Sequence, residues 1–324
     1  MNTGKPNSAG RAAFPVARFA PFITLGLLLA GCCLGSPVFR NPENLLNIAR
    51  QVSCSGLVAL GMTVVIAGGG IDLSVGSLLA LSGVLALQTM NALPATASPG
   101  AAFAAMAAVA VATGLLGGLV NGLLVNYGRM PPFIATLGTF SVFRSLAVYR
   151  ADAGLVQSAN AVLNRVDRLF GGAFPPIVLL LVAAVLYVVV RHTAYGWRIS
   201  ATGANEKAAL YAAIDVRGVR LVSYLVAGLL CGVGAILLAS CFQSVTSTTA
   251  GNAYELDAIA AVIIGGTPMS GGRASVWGTL AGVLILGIIA TALDLWSISA
   301  NLQGTVKGLI IILSVLLQYR RSRA

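Results

Sequence analysis

Long apolar stretches, separated by short polar segments, follow one another along the whole 324-residue chain. A helix rises about 1.5 Å per residue, so roughly 20 apolar residues cross a bilayer core about 30 Å thick. The stretch at 255–266 is too short to cross as one straight helix, and the glycines that follow it indicate broken backbone. The pattern predicts an all-α fold, a polytopic membrane bundle of about ten transmembrane helices, with eight to ten as the range. These helices are expected near 19–35, 46–67, 73–90, 101–126, 131–149, 174–191, 221–240, 255–266, 275–295 and 302–318.

The composition supports a membrane protein, because 57% of the residues are apolar and only 9% are charged. A soluble domain usually carries about 25% charged residues. The formal charge of +11 could indicate a nucleic-acid partner, but the cations lie in short segments between apolar stretches. That placement is typical of anchoring against anionic lipid. Membrane lipid, and no nucleic acid, is therefore the expected partner.

The distribution of cations also predicts the orientation, since cytoplasmic loops keep an excess of Lys and Arg. With ten helices and both termini cytoplasmic, thirteen cations fall on the cytoplasmic side and five outside. This orientation predicts a cytoplasmic N-terminal segment at 1–18, one transmembrane domain at 19–318 with a cytoplasmic loop at 191–220, and a cytoplasmic tail at 319–324. The first stretch also resembles a cleaved signal peptide ending before Cys32, but its polar lead is long and more membrane helices follow it.

The chain lacks the residues of an enzyme site or a metal centre. One histidine, His192, and five cysteines without a CxxC pair support neither a metal site nor a disulfide framework. No G-x-x-x-x-G-K-[S/T] loop for binding phosphates is present. We expect no catalytic residue, no metal and no cofactor, so any ATP that drives transport must bind to another polypeptide.

A faint internal repeat has the order helix, glycine loop, helix. The segment 64–69 leads into 76–85, and the similar segment 262–266 leads into 278–284. In transporters, repeated helix pairs broken by glycine often flank the substrate path. The alternative is that any membrane protein rich in Leu, Ala and Gly aligns with itself, and the sequence leaves both interpretations open.

Polar residues at membrane depth are the candidates for a substrate path, because a charge at a helix centre costs about 2.5–3.5 kcal/mol. Asp72 and Ser74 follow three glycines and either cap the next helix or form an inner gate. Glu255 and Asp257 begin the eighth stretch, where the helix dipole alone would favour carboxylates. Neutral amides and hydroxyls could bind sugar hydroxyls or bridge helices. The candidate path or gate residues are Asp72, Ser74, Ser77, Asn121, Asn126, Thr136, Glu255, Asp257 and Gln303.

Two cations, Arg144 and Lys307, fall inside predicted helices. Their long side chains are expected to reach an interface and keep the charge in water. Asp294 is close enough in the sequence to Lys307 for an ion pair between them to be plausible.

The cytoplasmic loop at 191–220 contains a segment that predicts a short helix. Asn205 is a suitable N-cap, alanine dominates the positions up to Ala213, and Gly203 and Gly218 bracket the segment. Such a helix could dock into a groove of a partner protein. It could also lie in solvent or on the membrane surface.

Four segments in this order resemble the ribose-type sugar permeases of bacterial ABC importers, and the likeness extends from about Asn44 to Leu317. The four segments are Gly61–Ile66 with Gly70–Ser77, Pro132–Gly138, Gly196–Trp197 with Ala201–Ala209, and Tyr254–Thr267 with Gly271–Gly272. The resemblance departs from the family pattern where Ala213 and Ala253 replace usual glycines and where 299–302 lacks an aromatic residue. These departures leave the particular sugar open.

The resemblance implies a permease of the type II ABC importer kind that moves a monosaccharide, a ribose-like pentose or a hexose, across the bacterial inner membrane by alternating access. It implies a cytoplasmic ATP-binding subunit with fused nucleotide-binding halves, a periplasmic sugar-binding protein and a second permease copy. It also implies a coupling helix to the ATPase, with contact residues Gly203, Asn205, Glu206, Ala208, Ala209 and Ala213. Alternatives are a branched-chain amino-acid permease of similar architecture and, from another class, a proton-coupled carrier.

Overall fold

A computed structural model describes residues 16–94, 96–299, 302, 304–306, 308–310 and 312, and most of them are helical. The predicted residues Gln303 and Lys307 lie outside the described residues. The helices are α1 (Val16–Gly35), α2 (Pro42–Ala67), α3 (Val75–Asn91), α4 (Pro99–Asn126), α5 (Pro132–Arg150), α6 (Val162–Asp167), α7 (Phe174–His192), α8 (Ala194–Ala204), α9 (Glu206–Tyr211), α10 (Val216–Phe242), α11 (Tyr254–Ile264) and α12 (Val276–Leu295).

The predicted apolar stretches up to residue 295 are helices that begin and end within a few residues of the expected positions. Several begin at a proline, which has no N–H to leave unpaired in the first turn: Pro42, Pro99 and Pro132. Within the described residues, six helices are long and apolar enough to cross a membrane, namely α2, α4, α5, α7, α10 and α12. The chain is therefore a polytopic helical membrane protein.

The core of the bundle is formed by α2, α3, α4 and α10. The long helices α4 and α10 approach each other closely through glycines, because a side-chain carbon at Gly114 or Gly118 would meet the backbone of Gly228 or Tyr224. In a bilayer the hydrophobic effect does not drive helices together, so close packing has to do so. Small residues such as glycine allow the two helix backbones to come into contact. The side chains of α2 are mostly buried, whereas much of α5 and α7 is exposed.

The helical backbone is interrupted after α11, at 265–275, as the glycines predict, and also before α11, which was not predicted. Helix α11 contains only 11 residues and follows an irregular segment at 247–253. That segment is preceded by strand β2 (Ser244–Thr246), which pairs antiparallel with β1 (Leu155–Gln157). The two strands have three residues each and lie far apart in the sequence. Sequence reasoning therefore missed this pair of strands.

The cytoplasmic loop contains more helix than expected. The predicted short helix is α9, and the Asn205 side chain accepts the Ala208 N–H at 3.0 Å, as predicted for a cap. Helix α8 was not expected, and α10 begins at Val216 rather than near residue 221. Ala213 and Ala253 both have left-handed backbone angles, with φ of 57° and 61°. The sites where the resemblance places glycine thus require a conformation that glycine adopts more readily.

Candidate functional site

The internal repeat is present in the backbone. Gly69 and Gly266 have left-handed φ angles of 80° and 89°, and each donates its N–H to the carbonyl three residues earlier, at 2.9 Å. We call residues 68–74 the first connection and residues 265–275 the second connection. The two copies also touch directly, since the Thr63 and Thr279 hydroxyl oxygens are 2.8 Å apart. The sequence similarity between the copies therefore corresponds to a shared way of ending a helix.

Asp72, in the first connection, is only 1% exposed and takes part in a polar cluster. Its Oδ1 accepts the Ser74 N–H at 2.9 Å and the Ser74 hydroxyl at 2.7 Å, and its Oδ2 accepts from Asn121 Nδ2 at 3.1 Å. The buried carboxylate is thus surrounded by donors, as a buried charge requires. The expectation that Ser74 caps α3 through its side chain is wrong, because its hydroxyl donates to Asp72 instead.

Asn121 joins this cluster to two more helices. Its Nδ2 also donates to Ser74 Oγ at 2.7 Å, and its Oδ1 accepts from Thr139 Oγ1 at 2.6 Å. Ser77 contributes a hydroxyl that donates to the Ser74 carbonyl at 2.8 Å. The structure therefore brings together Asp72, Ser74, Ser77 and Asn121, and adds Thr139, which sequence reasoning missed. Its position three residues after Thr136 on α5 was the available signal.

Two other candidates do not join the cluster. Asn126 Nδ2 donates to the Gly122 carbonyl, and Thr136 Oγ1 donates to the Pro132 carbonyl, both at 2.8 Å and both one helical turn back. Each side chain is buried and satisfied within its own helix.

Glu255 and Asp257 lie in the first turn of α11, as predicted, but they face different surroundings. Glu255 Oε2 is buried with no hydrogen-bond partner among the described residues, and it packs close to Gly76 at the start of α3. Asp257 lines a cavity of about 190 Å³ together with Gln51 and Tyr254. The first turns of α3 and α11 therefore meet inside the protein. In the first turn of α11, Glu255 faces α3 and Asp257 faces the cavity.

Arg144 contradicts the expectation that it reaches an interface. Its Nη1 donates to the carbonyls of Ser247 and Ala250, both at 2.9 Å. These carbonyls belong to the irregular segment that precedes α11. A guanidinium from α5 therefore satisfies backbone groups that no helix or strand pairs.

Helix α8 contacts both copies of the repeat. Gly203, at the end of α8, packs so closely that a side-chain carbon there would clash with the Ala67 carbonyl oxygen and the Gly272 amide nitrogen. Gly272 itself donates its N–H to the Ala67 carbonyl at 2.9 Å. Tyr195, at the other end of α8, has its hydroxyl 3.0 Å from Ser223 Oγ, and burial raises the pKa of that hydroxyl to about 12. Helix α8 is thus fixed to the bundle at both ends.

Helix α9 presents most of its surface outward. Glu206, Ala208 and Leu210 are exposed, and Tyr211 is 91% exposed. Ala209 alone of the predicted contact residues in α9 is buried, and it packs toward the bundle.

A family of sequences described as branched-chain amino acid transport system / permease component matches residues 44–315. This chain belongs to that family, and it is a multi-pass permease subunit of an ABC importer of the bacterial inner membrane rather than an enzyme. It is 40% identical over 315 residues to the ribose import permease protein of Bacillus subtilis (strain 168), covering 94% of each chain. It is 37% identical over 309 residues to the ribose import permease protein of Escherichia coli (strain K12), covering 92% of each chain. It is 33% identical over 303 residues to the D-allose transport system permease protein of Escherichia coli (strain K12), covering 93% of this chain and 91% of that protein. No solved structure matches.

Proposed function

We propose that this permease imports a monosaccharide, a ribose-like pentose or a hexose, by alternating access. The names of its relatives support a sugar, whereas the family description alone would fit a branched-chain amino acid. The contact of Gly203 with both repeat connections carries the mechanism, because it joins the cytoplasmic segment to the two helix breaks. We further propose ten membrane-crossing helices with both termini cytoplasmic, and the domain bounds 1–18, 19–318 and 319–324.

The polar cluster around Asp72 is proposed as the inner gate. The burial of Asp72, Ser74, Ser77 and Asn121 and the hydrogen bonds among them support this proposal. Glu255 and Asp257, in the first turn of α11, are proposed to line the substrate path next to this gate. Neutral and charged oxygens of this kind bind sugar hydroxyls through single hydrogen bonds, which are individually weak. Asn126, Thr136 and Gln303 remain proposed path residues of lower priority, since the first two are satisfied locally.

Helix α9 is proposed as the coupling helix that docks on the ATP-binding subunit. Its exposed Leu210 and Tyr211 provide apolar surface, and Gly203, Asn205, Glu206, Ala208, Ala209 and Ala213 complete the segment. The partners proposed with it are an ATP-binding subunit with fused nucleotide-binding halves, a periplasmic sugar-binding protein and a second permease copy.

Uptake in proteoliposomes tests the proposal. The permease is reconstituted with its ATP-binding subunit and periplasmic binding protein, and radiolabelled D-ribose, D-allose, L-arabinose and L-leucine are offered in parallel. We expect ATP-dependent uptake of one of the sugars, unaffected when a protonophore dissipates the proton gradient. Uptake of L-leucine alone would establish the amino-acid alternative, and uptake that needs the proton gradient and no ATP would establish a carrier.

Site-specific photocrosslinking tests the coupling helix separately. A benzophenone amino acid at Tyr211 should capture the ATP-binding subunit, whereas the same group at Tyr149, which is 80% exposed at the far end of α5, should not. Capture from both positions, or from neither, would contradict the proposal that α9 docks on the ATP-binding subunit.

A further inference from the structure

Arg220, in the first turns of α10, connects two parts of the protein that are far apart in the sequence. Its Nε donates to the Gly68 carbonyl at 3.1 Å, and its Nη2 donates to Glu206 Oε2 at 2.8 Å. In the sequence, Gly68 and Glu206 lie 152 and 14 positions before Arg220. One guanidinium therefore touches both the first connection and the first residue of α9.

The contact with Gly68 gives a hydrogen-bond donor to a carbonyl at the C-terminal end of α2. Gly68 is the C-cap of that helix, and the last carbonyls of a helix have no partner within it. A cation at this position also interacts favourably with the negative end of the helix dipole. The contact with Glu206 adds a charge-assisted bond, so the planar guanidinium uses two separate edges. A lysine ammonium is a single point charge and cannot reproduce that fork.

The first connection is held by α10 a second time, one helical turn further on. The Tyr224 hydroxyl donates to the Ile71 carbonyl at 3.2 Å, and Tyr224 is 1% exposed. Ile71 immediately precedes Asp72, the centre of the polar cluster. Arg220 and Tyr224 thus bind two backbone carbonyls of the first connection, both on the N-terminal side of Asp72.

We propose that Arg220 is the positioning residue that transmits movement of α9 to the Asp72 cluster. A displacement of Glu206 by a partner pulls on the guanidinium, and the guanidinium is bonded to the carbonyl that begins the first connection. Gly203, three residues before Glu206, packs tightly against Ala67, so the start of this segment also contacts the end of α2. This inference rests on the proposed coupling role of α9.

The test compares variants of the complete complex in proteoliposomes, with ATP hydrolysis and uptake of the transported sugar measured in the same vesicles. Arg220→Ala should keep ATP hydrolysis but lower the sugar taken up per ATP hydrolysed on the order of tenfold, as expected for a lost coupling energy. Arg220→Lys should restore part of that ratio. Arg217→Ala, an exposed cation in the same turn of α10, should leave it unchanged.

Glu206→Gln provides a second variant at an exposed position that tolerates substitution. It should lower the same ratio, and combining it with Arg220→Ala should add little, because both changes break one link. An unchanged ratio in Glu206→Gln, or equal losses of hydrolysis and uptake in Arg220→Ala, would overturn the inference. In that case wild-type uptake would still support the importer, whereas absence of ATP-driven uptake in the wild type would count against the proposed function itself.

Discussion

The two copies of the internal repeat end their first helix in the same way and then diverge. Both turn at a left-handed glycine, Gly69 or Gly266, with the same backbone hydrogen bond. The first connection is short and buries Asp72 among donors, whereas the second is longer, partly exposed and carries Arg273. The first copy thus fixes its polar groups, while in the second copy Glu255 Oε2 has no hydrogen-bond partner among the described residues. The two copies therefore share a helix ending but differ in how their polar groups are satisfied.

Substitution of the two carboxylates should separate the copies most clearly. In Asp72→Asn the new amide would place a donor against Asn121 Nδ2 or Ser74, so we expect a loss of about 2–3 kcal/mol in the free energy of unfolding. Glu255→Gln should cost less than about 1 kcal/mol, because that oxygen has no hydrogen bond to lose. Unfolding in mixed detergent micelles, followed by tryptophan fluorescence, measures both. Equal losses would show that the copies do not differ in this way.

The shared contact at Gly203 should be the next most sensitive position. In Gly203→Ala the added carbon meets backbone atoms of Ala67 and Gly272, and we expect about 2 kcal/mol of destabilisation from overpacking. Gly138→Ala on α5 is the matched control, since nothing lies within 4 Å of that added carbon. The thermal midpoint of each purified variant in detergent gives the comparison, and a Gly203→Ala midpoint equal to that of the control would refute the tight junction.

The hydroxyl pair between the copies should have a smaller effect. Thr63→Val should cost about 1 kcal/mol, because the Thr279 hydroxyl loses its cross-copy partner, and Thr279→Val should cost less, because Thr63 still donates to the Ala59 carbonyl. The double variant should be more stable than the sum of the two single losses predicts, since no unpaired hydroxyl is left. The same unfolding assay measures all three, and strict additivity would mean that the two hydroxyls do not interact.

The smallest expected effect is a gain in stability. Ala253 is the N-cap residue before α11 in the second copy, Ala213 lies after α9, and both have left-handed backbone angles. Ala253→Gly and Ala213→Gly should each stabilise the protein by roughly 0.5–1 kcal/mol, because a side chain disfavours that conformation. Gly138→Ala supplies the opposite exchange in an ordinary helical site. A fall in the thermal midpoint of both glycine variants would contradict the backbone assignment.

The membrane helices could be predicted from the sequence because apolar length alone determines them. Helix α9 was also predictable, since Asn205 is a local cap signal. The bonds of Arg144 to Ser247 and Ala250, and of Arg220 to Gly68, join segments more than a hundred residues apart, and no local pattern encodes them. Thr139 was missed for the same reason, because its partner Asn121 lies on another helix. Sequence reasoning thus located the polar residues but could not pair them.

Helix α11 contains 11 residues and so reaches about 16 Å, roughly half the thickness of a bilayer core. Irregular backbone beside such a short helix needs protein or water to satisfy its polar groups, and at 247–253 Arg144 does so for two carbonyls. The segment formed by 247–253 and α11 is consequently unsuited to face lipid tails. In the assembled complex this segment must therefore be covered by protein or contact water. The side of the permease that carries it is accordingly expected to face away from lipid.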